Sequence, residues 1–271
     1  MTRPPLTLIV GGTITAALVL AALIGRVWTP ADPAAMNILA RLRPPGDGGL
    51  LGTDAFGRDV ASLLMAGAWT SLGIAGAAVL LGGAAGVAAG TLAAARGGRI
   101  GAAVMAACGV LFAFPPILSA VLLGAALGPG AVTAIAAIAL FMVPVFARIS
   151  RGAALQIWTR DFVLAARMAG KGRTRITLDH VLPNIAPQIV VQIAIQMGLA
   201  ILAEAGLGFL GMSVAPPLPS WGRMLADSQT WLAAAPHLVL APGGAIALAV
   251  LGLNLLGDGL RTLADPRRRG R

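Results

Sequence analysis

Long apolar runs recur along the chain, separated by short polar or turn-forming segments. The first covers 6–25 and ends at Arg26. Others cover 72–95, ending in the turn Arg96-Gly97-Gly98-Arg99, then 100–127 and 131–147, which ends at Arg148 and Arg151. The last two cover 185–210 and 238–256. One bilayer crossing needs roughly 20 apolar residues, and no charged side chain occurs between 100 and 147. The pattern predicts an all-α membrane protein with about six transmembrane helices. A membrane barrel would instead show alternating segments of about ten residues. The first run exceeds the roughly 7–15 apolar residues of a signal peptide and is not followed closely by a small-residue cleavage site, so it reads as an uncleaved helix.

Between the runs, local chemistry predicts turns and breaks. Residues 28–54, rich in Pro, Gly and Asp, read as a loop. Thr53 or Asp54 then caps an interfacial helix running through Leu63 and Leu64, with Arg58 and Asp59 solvated. Inside the third run, Phe114-Pro115-Pro116 should kink or break the helix, because proline removes a donor and clashes with the preceding turn. Pro115 and Pro116 are candidates for lining a path, with a packing kink as the equal alternative.

The one long polar interruption is 161–184. Its first ten residues are nevertheless mostly apolar. Asp161 can cap a short helix and suits its positive N-terminus. Phe162, Ala165, Ala166 and Ala169 repeat at i, i+3, i+4 and i+7, with Val163, Leu164 and Met168 widening the stripe. Gly170 is a natural stop. So short a helix is marginal alone. Its apolar face must lie on the chain's own membrane domain or on a partner protein.

Composition agrees with a membrane protein: 58% of the 271 residues are hydrophobic and 11% charged. The net charge of +10 is spread between apolar runs, with no basic face or reader module for nucleic acid. With six crossings, one side holds Arg3, two arginines at the 96–99 turn, seven cations from Arg148 to Arg175 and five from Arg261 onward, fifteen in all. The other holds Arg26, Arg41, Arg43, Arg58 and Arg223. Excess Lys and Arg marks the cytoplasmic side, so both termini and the 148–184 loop are expected there. Cys108 is the single cysteine, and His180 and His237 lie far apart, so neither a disulfide nor a metal site is expected. Glu204, the one glutamate, falls within the fifth run. An ionisable group in a span is a functional candidate by default, and interhelical packing is the competing reading.

Several motifs carry a family resemblance. Ala165-Ala166, Gly170 and Leu182-Pro183 resemble the EAA loop of bacterial ABC importer permeases, with Leu164 standing where the general motif has Glu. Gly52-Thr53-Asp54 with Gly57-Arg58-Asp59 resembles the C-type permease of dipeptide, oligopeptide and nickel importers. So do Glu204-Ala205 through Phe209-Leu210-Gly211, the Pro216-Pro217 to Ser220-Trp221-Gly222 segment, Asn254 to Arg261, and Asp265-Pro266-Arg267. The resemblance implies a type I, EAA-loop permease fold. It divides the chain into a first helix with its extracytoplasmic loop and interfacial helix (1–71), a core permease domain (72–260) with the coupling loop 148–184, and a basic tail (261–271).

What the resemblance implies for function is half of a translocation path for di- or oligopeptides, with nickel or a metal chelate as the alternative cargo. Asp161, Phe162, Val163, Leu164, Ala165, Ala166, Arg167, Ala169, Gly170, Leu182 and Pro183 would couple to a partner ATPase. Apart from the resemblance, Glu204, Pro115 and Pro116 are candidates for the gate or path, with an interhelical packing contact as the reading the resemblance gives Glu204; Pro217 and Trp221 are candidates to touch a solute-binding protein, with an amphipathic Trp at the membrane interface as the alternative. Lys171, the one lysine, is followed by Gly172, so the chain lacks a Walker phosphate loop. No cofactor is expected on it; ATP and magnesium would sit on two ATPase subunits, beside a second homologous permease and membrane lipid. An intramembrane enzyme would need paired catalytic groups in the membrane, and an ion-coupled carrier more buried ionisable groups than Glu204.

Overall fold

A computed structural model describes residues 4–264, so Arg3, the Asp265-Pro266-Arg267 motif and most of the basic tail lie outside the described residues. The described residues are mostly helical: α1 (Leu6–Val27), α2 (Val60–Arg96), α3 (Gly98–Ala113), α4 (Pro116–Leu127), α5 (Ala131–Trp158), α6 (Asp161–Met168), α7 (Arg173–Ile176), α8 (Leu182–Phe209), α9 (Trp221–Ser228) and α10 (His237–Ala264), with a long loop between α1 and α2. Among the described residues, five helices are long and apolar enough to cross a membrane: α1, α2, α5, the continuous run through α7 and α8, and α10. The sixth predicted span is the pair α3 and α4, bent by 85° between Ala113 and Pro116. Phe114 is extended there (φ −80°, ψ 129°), the conformation favoured before proline, and Pro116 starts the next helix, where a missing N–H costs nothing.

Several boundaries differ from the sequence expectation: the helix of the fifth span begins already at Arg173 and that of the sixth runs on to Ala264, and two differences bear on the loops. The second span begins at Val60, not 72, and no separate interfacial helix precedes it. Its cap is Asp59, whose carboxylate accepts from the Ser62 backbone N–H at 2.8 Å, rather than Thr53 or Asp54. Thr53 instead ties the preceding loop together, accepting from the Arg43 N–H and donating to the Ala40 carbonyl. Asp54 accepts from the Phe56 and Arg58 N–H groups and pairs with the Arg58 guanidinium at 2.7 Å. Arg58 and Asp59 are therefore engaged in the loop, not simply solvated. The fourth span also runs on past Arg148 to Trp158, and Arg148 lies over the Phe112 ring, 4.5 Å from its centroid.

The core rests on close backbone approach. α2 presents Gly82, Gly86 and Gly90, one helical ridge at four-residue spacing, to α5. A methyl group at Gly86 would meet the Val143 carbonyl at 2.5 Å and the Phe146 Cβ at 2.7 Å. In lipid, where the hydrophobic effect does not drive helices together, such contact supplies the dispersion that does. Around this seam Ala75, Ala78, Val79, Met142, Phe146 and Ile201 are buried. The helix α1 lies on α10 in the same manner, Gly11 against the backbone of 252–256 and Gly259 against Leu8.

Candidate functional site

The polar interruption folds into a short helix held against the end of the bundle. α5 ends at Trp158, and α6 starts three residues later at Asp161. Arg160 occupies the cap position without a side-chain cap bond. Asp161 is thus the first helical residue rather than the cap, where its charge still favours the helix N-terminus. At the other end Gly170 takes φ +80°. Its N–H reaches the Arg167 carbonyl at 2.9 Å while the Lys171 N–H reaches Ala166 at 3.1 Å. This is a left-handed glycine stop, conformationally costly for residues with a Cβ.

One side of α6 is fixed and the other is open. Val163 (0% exposed) and Ala166 (8%) pack on Trp158, Ile176, Val181 and Ile185. Phe162, Leu164, Ala165, Met168 and Ala169 are exposed, Met168 almost completely. The predicted stripe of Phe162, Ala165, Ala166 and Ala169 is therefore split: only Ala166 faces the chain's own core. α6 has two turns, and its packing partners reach it from one side. Arg167 lies over the Trp158 ring at 4.9 Å, and the Phe162 ring stands 6.1 Å from that of His180. Leu182 is half-buried and Pro183 exposed, on the first turn of α8.

Beyond Gly170, the chain is anchored by charges. Arg173 donates to the Ala95 and Arg96 carbonyls at 3.0 and 3.1 Å, satisfying the C-terminus of α2. Lys171 and Arg175 both meet Asp179, at 3.2 and 3.4 Å. Thr177–Val181 is a π turn leading into α8. The α6 segment is thus tied at once to α2, α5 and α8.

At the opposite end of α8, Glu204 is fully buried. The Ser213 hydroxyl donates to its Oε1 at 3.0 Å, and the hydroxyls of Ser71 and Ser220 lie beside the carboxyl group. Ser71 also accepts from the Trp221 backbone N–H at 3.1 Å, and Ser220 caps α9 through the Arg223 N–H. The carboxyl is thus tied directly to the 210–220 loop through Ser213, while its Oε2 has no hydrogen-bond partner among the described residues.

Comparison with known proteins completes the site. The profile of a family described as binding-protein-dependent transport system inner membrane component matches residues 86–270, taking in both α6 and Glu204. The chain belongs to this family. Among its relatives, the dipeptide transport system permease protein DppC of Alkalihalophilus pseudofirmus is 38% identical, over 96% of this chain and 85% of that one. The di/tripeptide transport system permease protein DppC of Pseudomonas aeruginosa is also 38% identical, over 95% and 87%. The glutathione transport system permease protein GsiD of Escherichia coli is 42% identical, over 81% and 72%. In fold, it is similar to a chain of the MetNI methionine ABC transporter in an inward facing conformation, with TM-score 0.62 and 21% identity over 75% of this chain and 97% of that one.

As an inner membrane component of an ABC importer, this permease is a transport subunit and not an enzyme; ATP hydrolysis belongs to partner ATPases, and a solute-binding protein is a further partner. Within the permease, the residues predicted to meet that binding protein separate. Pro217 is exposed, in the wall of a cleft of about 280 Å³ that Phe56, Arg58 and Trp231 also line. Trp221 is only 1% exposed, and its indole N–H donates to the Leu64 carbonyl at 3.1 Å. It is neither a docking residue nor an interfacial anchor: its hydrogen bond and its ring are both spent on α2. Pro115 and Pro116 are exposed at the 85° bend. Two features escaped the sequence reading. The glycine ridge of α2 was visible as four-residue spacing, but no signal indicated that Ser71, 133 residues before Glu204 in the chain, would lie beside it.

Proposed function

We propose that this permease forms half of a translocation path for di- or oligopeptides and takes its energy through α6 from a partner ATPase. The observation that carries the coupling role is the two-sidedness of α6. Val163 and Ala166 fasten it to the bundle, while Phe162, Leu164, Ala165 and Met168 leave an apolar edge uncovered by the chain itself. An exposed edge of this kind marks a protein contact. Movement of that edge would pass to α2 through Arg173, and to α5 and α8 through Trp158 and Val181. The names of relatives at 38–42% identity favour peptide cargo over nickel or a chelate. The cation distribution supports cytoplasmic termini and a cytoplasmic α6. A second, homologous permease would close the path, and two ATPases would carry the nucleotide and magnesium, with no cofactor on this chain.

The test is reconstitution of the permease with its co-encoded partners in proteoliposomes. ATP-driven uptake of a labelled dipeptide, dependent on the binding protein, is expected. Uptake of a nickel chelate but of no peptide would refute the cargo, and uptake without any ATPase would refute the coupling.

A further inference from the structure

A second cavity has no part in coupling. It measures about 250 Å³ and lies where α1, α2, α8 and α10 meet, at Leu18, Ala22, Leu72, Gly73, Met197 and Leu253. Its floor is closed by Ala22, Ala249 and Leu253, all under 9% exposed, whereas Val19, Leu23 and Trp69 at its edge are each about half exposed. The crevice thus opens sideways from four membrane-spanning helices, where the surrounding solvent is hydrocarbon. From Thr15 to Leu23 it runs about 12 Å along α1 at the ordinary helical rise, within the roughly 15 Å depth of one leaflet's hydrocarbon.

The mouth carries a charge. Arg26 follows Leu23 by one turn, and its guanidinium stands 5.9 Å over the Trp69 ring that lines the crevice. It is exposed, and among the described residues no carboxylate pairs with it. An apolar slot of acyl-chain length, with an uncompensated cation and an amphipathic indole at its end, complements an anionic amphiphile.

We propose that one anionic phospholipid occupies this crevice, an acyl chain between α1 and α2 and its phosphate on Arg26, fastening α1 to the core. Gly73 provides the test, because it lines the cavity and a Cβ built there meets nothing within 4 Å, so a larger side chain has open space to grow into. The complete importer is purified from membranes containing phosphatidylglycerol and phosphatidylethanolamine, and retained lipid is counted by native mass spectrometry. The wild type should keep one phospholipid per copy of this chain, enriched in phosphatidylglycerol. Gly73→Leu should lose it, as should Val19→Trp at the open edge. Arg26→Gln should keep a lipid but lose about fivefold in anionic enrichment, the effect of one surface cation. Retention of the same lipid by both filling variants, or no enrichment in the wild type, overturns the proposal. So does cross-linking of Leu23→Cys to a partner subunit, which would mean that protein fills the crevice.

Discussion

Substitution on the two sides of α6 should separate seating from docking. Seating rests on Val163 and Ala166. Full burial of a valine side chain contributes about 1.5–3 kcal/mol and a buried methyl about 0.8, while the Arg167–Trp158 contact adds about 0.5–1. The helix is therefore held by roughly 3–5 kcal/mol, and at eight residues it supplies little stability of its own. In Ala166→Asp, an unpaired carboxylate would enter the cluster of Trp158, Ile176 and Val181 at a cost on the order of 3–5 kcal/mol. That is enough to lift the helix off the bundle. Phe162→Asp, on the exposed side, leaves the seat intact and removes an aromatic contact of about 2 kcal/mol from the partner interface. Both variants should insert normally, since α6 lies outside the five long spans and the bent pair. Both should lose ATP-driven uptake and ATPase copurification. They should differ in hydrogen exchange over 161–172: fast in Ala166→Asp, unchanged in Phe162→Asp. Full uptake by Ala166→Asp would refute the seating energetics, and full ATPase copurification with Phe162→Asp would refute the docking edge.

Three further outcomes follow from particular contacts. In a Cys108→Ser background, cysteines at Gly172 and at the exposed Leu218 should label from opposite sides of the membrane; an impermeant reagent reaching both from outside would refute the six-crossing topology. Glu204→Gln should assemble and transport nearly normally because the amide keeps an acceptor for Ser213, whereas Glu204→Leu should lose about 1–3 kcal/mol by leaving the buried Ser213 hydroxyl unpaired; a Gln variant that assembles but cannot transport would give the charge a gating role. Gly86→Leu should separate α2 from α5 at a cost of at least about 1–3 kcal/mol, read as loss of thermal stability in detergent, and an unchanged melting temperature would refute the close-contact seam.

Much of this protein was legible in the sequence because a bilayer imposes a one-dimensional constraint. A helix that crosses it needs a long apolar run, so the spans could be found without knowing their neighbours. Pro115 and Pro116 fixed the break in the third span through backbone chemistry alone, and Gly170 fixed the end of α6 in the same way. The ends of α2 and α5 were not legible, since Asp59, Arg58 and Arg148 look like solvated charges until Ser62, Asp54 and Phe112 are placed beside them. The same holds for the functional residues. Periodicity identified α6 as apolar, but which of Phe162 and Ala166 faces outward depends on where Trp158 and Val181 stand. Glu204 and Trp221 were recognisable as unusual, yet their roles were decided by Ser71 and Leu64, brought from a distant span. Burial and hydrogen bonding are properties of pairs, and pairs far apart in the chain exist only once the helices have packed.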